Sequence, residues 1–372
     1  MILISLIVSI LAFGIIVLIH EFGHFIMAKA FGVGVIEFSI GMGPRLMSLV
    51  RGNTRYSIKA LPFGGSCLMM DEELSDDEIP RGKDGSITVD GRIYPPSCEF
   101  SSKSPIKRFI IIAAGPIFNF ILAFILAVIV VANIGYQKSE IVEVEKGYPA
   151  YETGIEPGDS IISIGRDKVR DYNDIMLYML VHKKDFAEGM PISLKYVSED
   201  GSRETAEFNP VYDEETDSYR MGIVFRQSFV PAKDIGELLL RSAYKVEYYI
   251  DSTVKSVVML INGDVGKDDV AGPVRVVAAI DENVDAAADY GLFSAALTLM
   301  ELSMLISANL GAMNLLPVPA LDGGRLFFII IEMIIGRPVN RELEAKIHMA
   351  GILLLLGLMV FVVFNDISIL FR

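Results

Sequence analysis

Four blocks of apolar residues punctuate the sequence, and polar stretches rich in acidic residues separate them. The first block carries no Lys or Arg before Lys29, and residues 109–135 hold no charged side chain. Residues 292–316 have Glu301 as their one charged side chain, and residues 350–364 are uniformly apolar. Each block approaches the length of about 20 residues that crosses about 30 Å of hydrocarbon. The pattern therefore predicts four membrane helices.

The polar and apolar patterning predicts an α-helical polytopic membrane protein with a membrane-associated β-hairpin and an inserted β-rich domain. Short alternating runs separated by Gly- and Pro-containing turns favour a hairpin, whereas apolar residues at helical spacing favour an amphipathic helix at the membrane surface. The expected transmembrane helices are residues 1–31, 109–135, 290–335 (broken at NLLPVPALDG) and 349–366; the hairpin is 34–66, a mostly exposed cytoplasmic loop is 67–104, the β-rich domain is 139–228, and the amphipathic segment is 232–266.

The distribution of charge predicts the orientation in the membrane. Basic residues lie between the first two spans and between the last two, whereas acidic residues flank the segment 137–290. Basic residues near spans remain in the cytoplasm. Both termini and residues 137–290 are therefore expected on the extracytoplasmic side of the inner or plasma membrane. The formal net charge of −14 argues against a nucleic-acid partner.

His20-Glu21-Phe22-Gly23-His24 matches the pattern H-E-x-x-H inside the first apolar block. Two histidines four residues apart lie on one face of a helix, about 5–6 Å apart at Cβ, so both imidazoles can reach one metal ion. Glu21 is offset by about 100° and can act as a general base toward an attacking water. Zinc suits this donor set.

Coincidence is the alternative to a metal site. Composition alone predicts on the order of 0.003 matches to this pattern in a chain with four histidines. Ionisable groups in a membrane helix are also costly and usually functional. The metal site is therefore the preferred interpretation. His182 and His348 lack such a context, and we expect them at the surface or at interfaces.

A catalytic zinc needs a third protein ligand, and the best candidate is Asp322 in the segment Asn314-Leu-Leu-Pro-Val-Pro-Ala-Leu-Asp-Gly-Gly-Arg325. Pro317 and Pro319 forbid a regular helix there, so the backbone runs extended near membrane depth. Asp322 would then begin a helix that continues to Ile335. The alternative is that Asp322 only caps this helix in an Asp-Gly turn, which does not exclude a ligand role.

Residues 139–228 contain the run GYPAYETGIEPGDSIISIGRDKV, which resembles a PDZ domain. A PDZ domain captures an extended peptide by adding it to the edge of a sheet. The alternative is a generic small β-rich domain. We expect the PDZ-like domain to restrict the access of substrates to the site. We expect it to perform no chemistry, because it has no cluster of metal-ligating residues.

Together these features resemble the bacterial site-2 proteases, which are intramembrane zinc metalloproteases. The resemblance rests on His20–His24 in the first span, Gly115-Pro-Ile-Phe-Asn119 in the second, the PDZ-like insert, and Leu321-Asp322-Gly323 in the third. It implies that His20, His24 and Asp322 are zinc ligands and that Glu21 is the general base. It also implies that Asn314, Pro317 and Asn119 lie near the substrate.

The resemblance further implies a class of substrate and a partner. Substrates would be single-span membrane proteins in the lipid bilayer, such as trimmed anti-sigma factors or remnant signal peptides. An upstream site-1 protease would act first. The loop at 71–104 is longer than the family requires, and one PDZ domain is present where some members carry two, which leaves the filtering of substrates open.

The position of His20 predicts the depth of the site. It lies about 28 Å along a helix that starts at the outer face, so the site is expected inside the membrane toward the cytoplasm. A membrane-spanning substrate must unwind before it is cut, and a strand edge from residues 35–60 could accept the freed hydrogen bonds.

Two other functions are compatible with parts of this pattern. A membrane scaffold that collects peptides on its PDZ-like domain would not need Glu21. A zinc carrier or zinc-sensing channel would need ionisable residues in successive spans, and the sequence offers few beyond Glu301.

Overall fold

The computed structural model describes residues 2–70, 82–214, 216–265 and 272–370. The chain divides into two compact units, one formed by Met1–Leu126 with Gly266–Arg372 and the other by Ala127–Val265. Part of the expected loop at 67–104, namely residues 71–81, lies outside the described residues.

Helices dominate the described residues: α1 (Ile2–Ala30), α2 (Pro105–Ile134), α3 (Tyr172–Val181), α4 (Lys183–Ala187), α5 (Ile235–Asn262), α6 (Pro273–Ala288), α7 (Leu292–Leu315), α8 (Asp322–Ile335) and α9 (Arg341–Leu370). Four segments in the described residues are long and apolar enough to cross a membrane: Ile10–Ala30, Pro105–Ile134, Leu292–Leu315 and Glu342–Ile369. Helices satisfy their own backbone hydrogen bonds, which hydrocarbon demands. The prediction of four helices long and apolar enough to span a membrane is confirmed for the described residues.

The segment after α1 forms two long strands, β1 (Val35–Arg51) and β2 (Thr54–Met69). Both strands bend, so residues 37–40 have partners on two sides. Residues 65–68 pair with them in antiparallel order, whereas residues 55–58 pair in the same direction. The result is a small sheet of four segments in the order 65–69, 35–40, 54–59 and 45–51.

A buried carboxylate holds the bent part of this sheet. Glu37 is 4% exposed, and its carboxylate accepts hydrogen bonds from Arg45 Nε at 2.7 Å and Ser57 Oγ at 2.5 Å. Lys59 Nζ lies 3.8 Å away. The Arg45 guanidinium, together with Ser57 and Lys59, lowers the pKa of Glu37 to about 2. Glu37 is therefore ionised at neutral pH and ties segments 35–40, 45–51 and 54–59 together.

The expected exposed loop differs from the structure over residues 87–94. Two short strands, β3 (Ile87–Val89) and β4 (Arg92–Tyr94), form a hairpin here. Ile87 and Tyr94 are buried against Ile36 and Met70. The run Ile87-Thr-Val-Asp-Gly-Arg-Ile-Tyr94 carries a hairpin signal, since β-branched and aromatic residues flank an Asp-Gly turn, and the expectation of an exposed loop overlooks it.

The second unit is built around short strands: β5 (Tyr136–Gln137), β6 (Ile141–Val144), β7 (Ser160–Ile164), β8 (Asp167–Lys168), β9 (Ile192–Val197), β10 (Arg203–Phe208), β11 (Val211–Asp213), β12 (Ser218–Arg220), β13 (Ile223–Phe225) and β14 (Phe229–Val230). The largest sheet has the order β10-β9-β7-β8, and β6 pairs with β13. Ile161, Ile164, Ile192 and Leu194 are almost fully buried in its core.

Two further features of the first unit are the connection between α7 and α8 and the capping of α6. The connection between α7 and α8 is irregular over residues 316–321, where Pro317 and Pro319 interrupt the helix. The sequence patterning did not single out α6. Its N-terminus is capped by Asp366 of α9, whose carboxylate accepts hydrogen bonds from the backbone N–H of Gly272, Val274 and Arg275.

Candidate metal centre

The polar residues of α1 meet Asp322 at one point. His20 Nε2 lies 3.2 Å from His24 Nε2. Asp322 Oδ2 lies 3.0 Å from His20 Nε2 and 3.4 Å from His24 Nε2. Within the described residues, this is the group of His, Cys, Asp and Glu side chains whose donor atoms could hold a metal ion.

These distances fit a tetrahedral zinc site. Bonds of about 2.0–2.1 Å at tetrahedral angles separate neighbouring ligand atoms by about 3.3 Å. The three observed separations of 3.0, 3.2 and 3.4 Å scatter around that value. Asp322 Oδ2 is also a buried atom without a hydrogen-bond donor. Because burying an unpaired carboxylate oxygen is costly, a cation is the expected partner at this position.

The helix α1 brings the two histidines together by its period alone. Their rings are edge to face with centroids 4.8 Å apart, and each residue is 6% exposed. Asp322 is the first residue of α8. The cap position belongs to Leu321, which makes no side-chain capping bond. The structure therefore gives Asp322 no capping contact and directs its carboxylate to the histidines.

The second nitrogen of each imidazole is also bonded. His24 Nδ1 lies 2.9 Å from the Ile111 carbonyl oxygen, to which it can donate only if it carries the proton. His20 Nδ1 lies 3.1 Å from the side-chain amide of Asn119, and Asn119 is fully buried. Such outer bonds fix which nitrogen faces a metal.

Two glycines make room for the two imidazole rings. Gly115 of α2 faces both histidines, and a Cβ at this position would lie 2.8 Å from His20 Nε2 and even closer to His24. Gly23 faces the backbone carbonyl of Ala114, where a Cβ would overlap. Glycine at 23 and 115 therefore allows α1 and α2 to approach closely enough to enclose the imidazoles.

Glu21 faces the hairpin. Its Oε2 accepts a hydrogen bond of 2.9 Å from the backbone N–H of Cys67, and a Cβ added at Gly65 would lie 3.5 Å from its Cγ. Segment 65–69 pairs on one side with residues 35–40. Its other side has no strand partner in the described part of the chain, and the Cys67 N–H shows that this open edge faces Glu21.

The remaining predicted site residues lie on the interrupted segment. Asn314 is half-buried in the last turn of α7, and Pro317 is exposed in the connection after it. Neither belongs to the three-residue cluster. Their placement near substrate stays a prediction.

Two histidines outside the cluster have separate surroundings. His182 Nδ1 is 2.6 Å from Asp185 Oδ2 in the second unit. His348 of α9 accepts a hydrogen bond of 3.0 Å from the backbone N–H of Ala320, two residues before Asp322. Sequence reasoning missed this contact, because only the fold brings residue 348 to the loop.

Among the described residues, the fold combines four helices that could span a membrane with a cluster of side chains that could hold a metal ion. Residues 8–358 match the model of peptidase family M50, and the chain belongs to this family, that of the site-2 proteases. The family's general function is intramembrane proteolysis and its cofactor is zinc. The predictions of a membrane metallopeptidase and of zinc are thereby confirmed at the level of the family.

Similar proteins from several bacteria carry related names. A protein of Clostridium acetobutylicum, provisionally named a zinc metalloprotease, is 34% identical over 363 residues, which are 98% of this chain and 97% of that protein. Its counterpart in Clostridium perfringens is 30% identical and covers 88% and 87% of the two chains. One from Agrobacterium fabrum is 29% identical, with 88% and 85% covered.

Proposed function

We propose that the protein is an intramembrane zinc endopeptidase in which His20, His24 and Asp322 bind the zinc ion and Glu21 is the general base. The observation that carries the proposal is the convergence of two imidazole nitrogens and a carboxylate oxygen at 3.0–3.4 Å, with both imidazoles on a helix long enough to span a membrane. Bound zinc would polarise the peptide carbonyl and lower the pKa of water.

The bonds at the outer nitrogens support the ligand assignment. If His24 donates its Nδ1 proton to the Ile111 carbonyl, its Nε2 is free to bind metal. For His20, the Asn119 amide must present its oxygen to Nδ1–H. Asn119 Oδ1 is a buried atom without a partner when the amide nitrogen faces His20. With the amide rotated, Oδ1 accepts the hydrogen bond from His20 Nδ1–H.

Glu21 is positioned to move protons. Its Oε2 is held by the Cys67 N–H, which leaves Oε1 to accept a proton from the attacking water. The water oxygen forms a bond to the carbonyl carbon, and the carbon–nitrogen bond then breaks as Glu21 passes that proton to the leaving amine. General acid–base catalysis of this kind contributes about 10²–10⁴-fold.

The open edge of segment 65–69 is the strand on which we propose that the unwound substrate docks. An extended peptide added there would run beside Glu21, and its backbone would regain hydrogen bonds lost on unwinding. This location lies just beyond the edge of 35–60 expected from sequence. The open edge facing Glu21 supports it.

We propose substrates that span the membrane once, as the family's general function suggests. Trimmed anti-sigma factors and remnant signal peptides are the expected classes, with an upstream site-1 protease acting first. The charge pattern supports a plasma-membrane location with the termini and the β-rich domain outside and the site toward the cytoplasm.

We propose that residues 139–228 are a PDZ-like domain that restricts access. The motif in its sequence supports this, as does β13, which pairs with β6 on one side and has no second strand partner among the described residues. A peptide end could add to that open side.

Deletion of the β-rich domain separates restriction from recruitment. With residues 139–228 replaced by a short linker, we expect zinc binding to persist and bulky, untrimmed substrates to be cut. Cleavage of trimmed and untrimmed substrates by both enzymes is compared. Continued rejection of untrimmed substrates by a folded, zinc-loaded deletion contradicts restriction, and weaker cleavage of trimmed substrates indicates recruitment.

Glu21→Gln tests the assignment of the reaction. We expect cleavage of a single-span substrate in liposomes to fall by about 10²–10⁴-fold while zinc remains bound, since the ligands are intact. Zinc content and cleavage are measured on the same purified sample. Glu301→Gln, a change of the same kind in α7, serves as the control. Undiminished cleavage by the Glu21 variant rejects the protease mechanism.

A further inference from the structure

The last membrane helix contacts the connection that carries Asp322. His348 of α9 is largely buried, and its Nδ1 lies 3.0 Å from the backbone nitrogen of Ala320. Because the backbone N–H must donate, Nδ1 is the acceptor and the ring proton lies on Nε2. That side of the ring faces Glu344 at 3.9 Å, and the ring of Phe328 packs nearby at 5.8 Å between centroids.

Ala320 needs such support because of its conformation. Its φ is +80°, in the left-handed region that side chains other than glycine rarely adopt. In the described residues, the other non-glycine positions with positive φ are Asp90 and Asp217, both in turns between paired strands. Aspartate tolerates this region through local hydrogen bonds, whereas alanine has no such side chain. An outside partner must therefore hold Ala320.

A second contact on the same face of α9 restricts the same connection. Gly351 follows His348 by three residues, which places both on one side of the helix. A Cβ at residue 351 would lie 2.5 Å from Pro319 Cβ and 2.6 Å from Pro319 oxygen. The helix backbone thus packs directly on Pro319 while His348 holds the next residue.

The geometry points to His348 as a positioning residue for Asp322. By accepting the N–H of Ala320 and packing with Gly351 on residues 319–320, α9 fixes the backbone two residues before the carboxylate that meets His20 and His24. This inference rests on the proposed role of Asp322 as a metal ligand. His348 itself would touch neither the metal nor the substrate.

The test compares variants of the full chain in detergent or nanodiscs. His348→Phe keeps an aromatic ring but cannot accept the hydrogen bond, whereas His348→Asn places Oδ1 at the position of Nδ1 and so retains an acceptor. Glu342→Gln, at an exposed carboxylate of α9 that pairs with Lys346, is the control. Zinc affinity is measured by competition with a chelator, the ligand set by the absorption spectrum of the cobalt-loaded protein, and KM and kcat with one single-span substrate.

We expect His348→Phe to weaken metal binding by about 10–100-fold, as loss of an outer contact does at other metal sites. Its cobalt spectrum should shift and kcat should fall with KM within about twofold of wild type. His348→Asn should recover to within about threefold, and Glu342→Gln should match wild type. If His348→Phe does not fold, Gly351→Ala breaks the second contact, and we expect the same changes.

Two results would overturn the inference. One is wild-type metal affinity and an unchanged cobalt spectrum in folded His348→Phe or Gly351→Ala. The other is a His348→Asn variant as impaired as His348→Phe, which would show that ring shape and not the hydrogen bond matters. Asp322→Ala is measured in parallel: if it too leaves the spectrum unchanged, the proposed ligand set fails, and the two failures are thereby told apart.

Discussion

The three residues of the candidate metal centre reach one point by two different routes. His20 and His24 lie four residues apart on the regular helix α1, so the helix period places them together. Asp322 follows an irregular connection that contains two prolines and a left-handed alanine. One route uses local geometry, and the other depends on packing against a helix that comes later in the chain.

This difference indicates where the centre is vulnerable. A helix fixes each side chain through many backbone hydrogen bonds, so single changes around His20 and His24 leave their spacing intact. The connection before Asp322 has few internal hydrogen bonds, among them Leu321 N–H to the Val318 oxygen at 3.2 Å. Its position therefore depends on contacts from outside, and the carboxylate is the ligand that distant changes can displace.

Removing the Asp322 carboxylate should have the largest effect on zinc binding and cleavage. We expect Asp322→Ala to weaken zinc binding by more than about 100-fold and to abolish cleavage, because two imidazoles alone make an incomplete site. Metal analysis and chelator competition measure this. Asp289→Ala, at an exposed carboxylate that follows α6, is the control. Full zinc occupancy with normal turnover would remove Asp322 from the ligand set.

The contribution of His20 to zinc binding can be weakened by changing Asn119. We expect Asn119→Ala to lower zinc affinity by about 10–100-fold, because His20 loses the partner that orients its ring. Asn133→Ala is the matched control on α2, where an exposed amide donates a hydrogen bond to the Ile129 carbonyl. If the variant instead raises KM and leaves zinc affinity unchanged, Asn119 contacts substrate, as the family resemblance implies.

Sequence alone predicted the features that depend on period and composition. Apolar blocks predicted four membrane helices, and the spacing of His20 and His24 predicted that they share one face. The prolines at 317 and 319 predicted an interruption before Asp322. Each of these follows from properties of consecutive residues, which is why no knowledge of the fold was needed.

Features that depend on distant contacts were not predicted. His348 lies 28 residues from Ala320 in sequence, and nothing around it marks a contact to the connection. The bend that gives residues 37–40 partners on both sides arises from pairing across the sheet. Similarly, the resemblance places Asn119 near substrate, whereas its side-chain amide lies 3.1 Å from His20 Nδ1, a contact that only the packing of α1 on α2 reveals.

The smallest expected effect concerns the hairpin, which approaches Glu21 without contributing a ligand. Glu37→Gln removes the charge that Arg45 and Lys59 face. Arg45 is half-exposed, so solvent weakens the pair, and we expect a loss of about 1–2 kcal/mol in unfolding free energy at pH 7. Zinc affinity should not change, since Glu37 contacts none of the three cluster residues.

The pH dependence of this loss identifies its cause. Because Arg45 lowers the pKa of Glu37 to about 2 in the folded protein, the carboxylate stabilises the fold above its unfolded pKa of about 4.3, and this contribution disappears as the pH falls toward 2. The stability difference between wild type and Glu37→Gln should therefore be constant above about pH 5 and shrink below it. Thermal unfolding in detergent at several pH values measures the difference.

Glu342→Gln, which breaks an exposed pair with Lys346, should show no measurable change. A difference that persists unchanged at acidic pH would assign the loss to packing or hydrogen-bond geometry, and the charge on Glu37 would then have no part in holding the sheet beside Glu21.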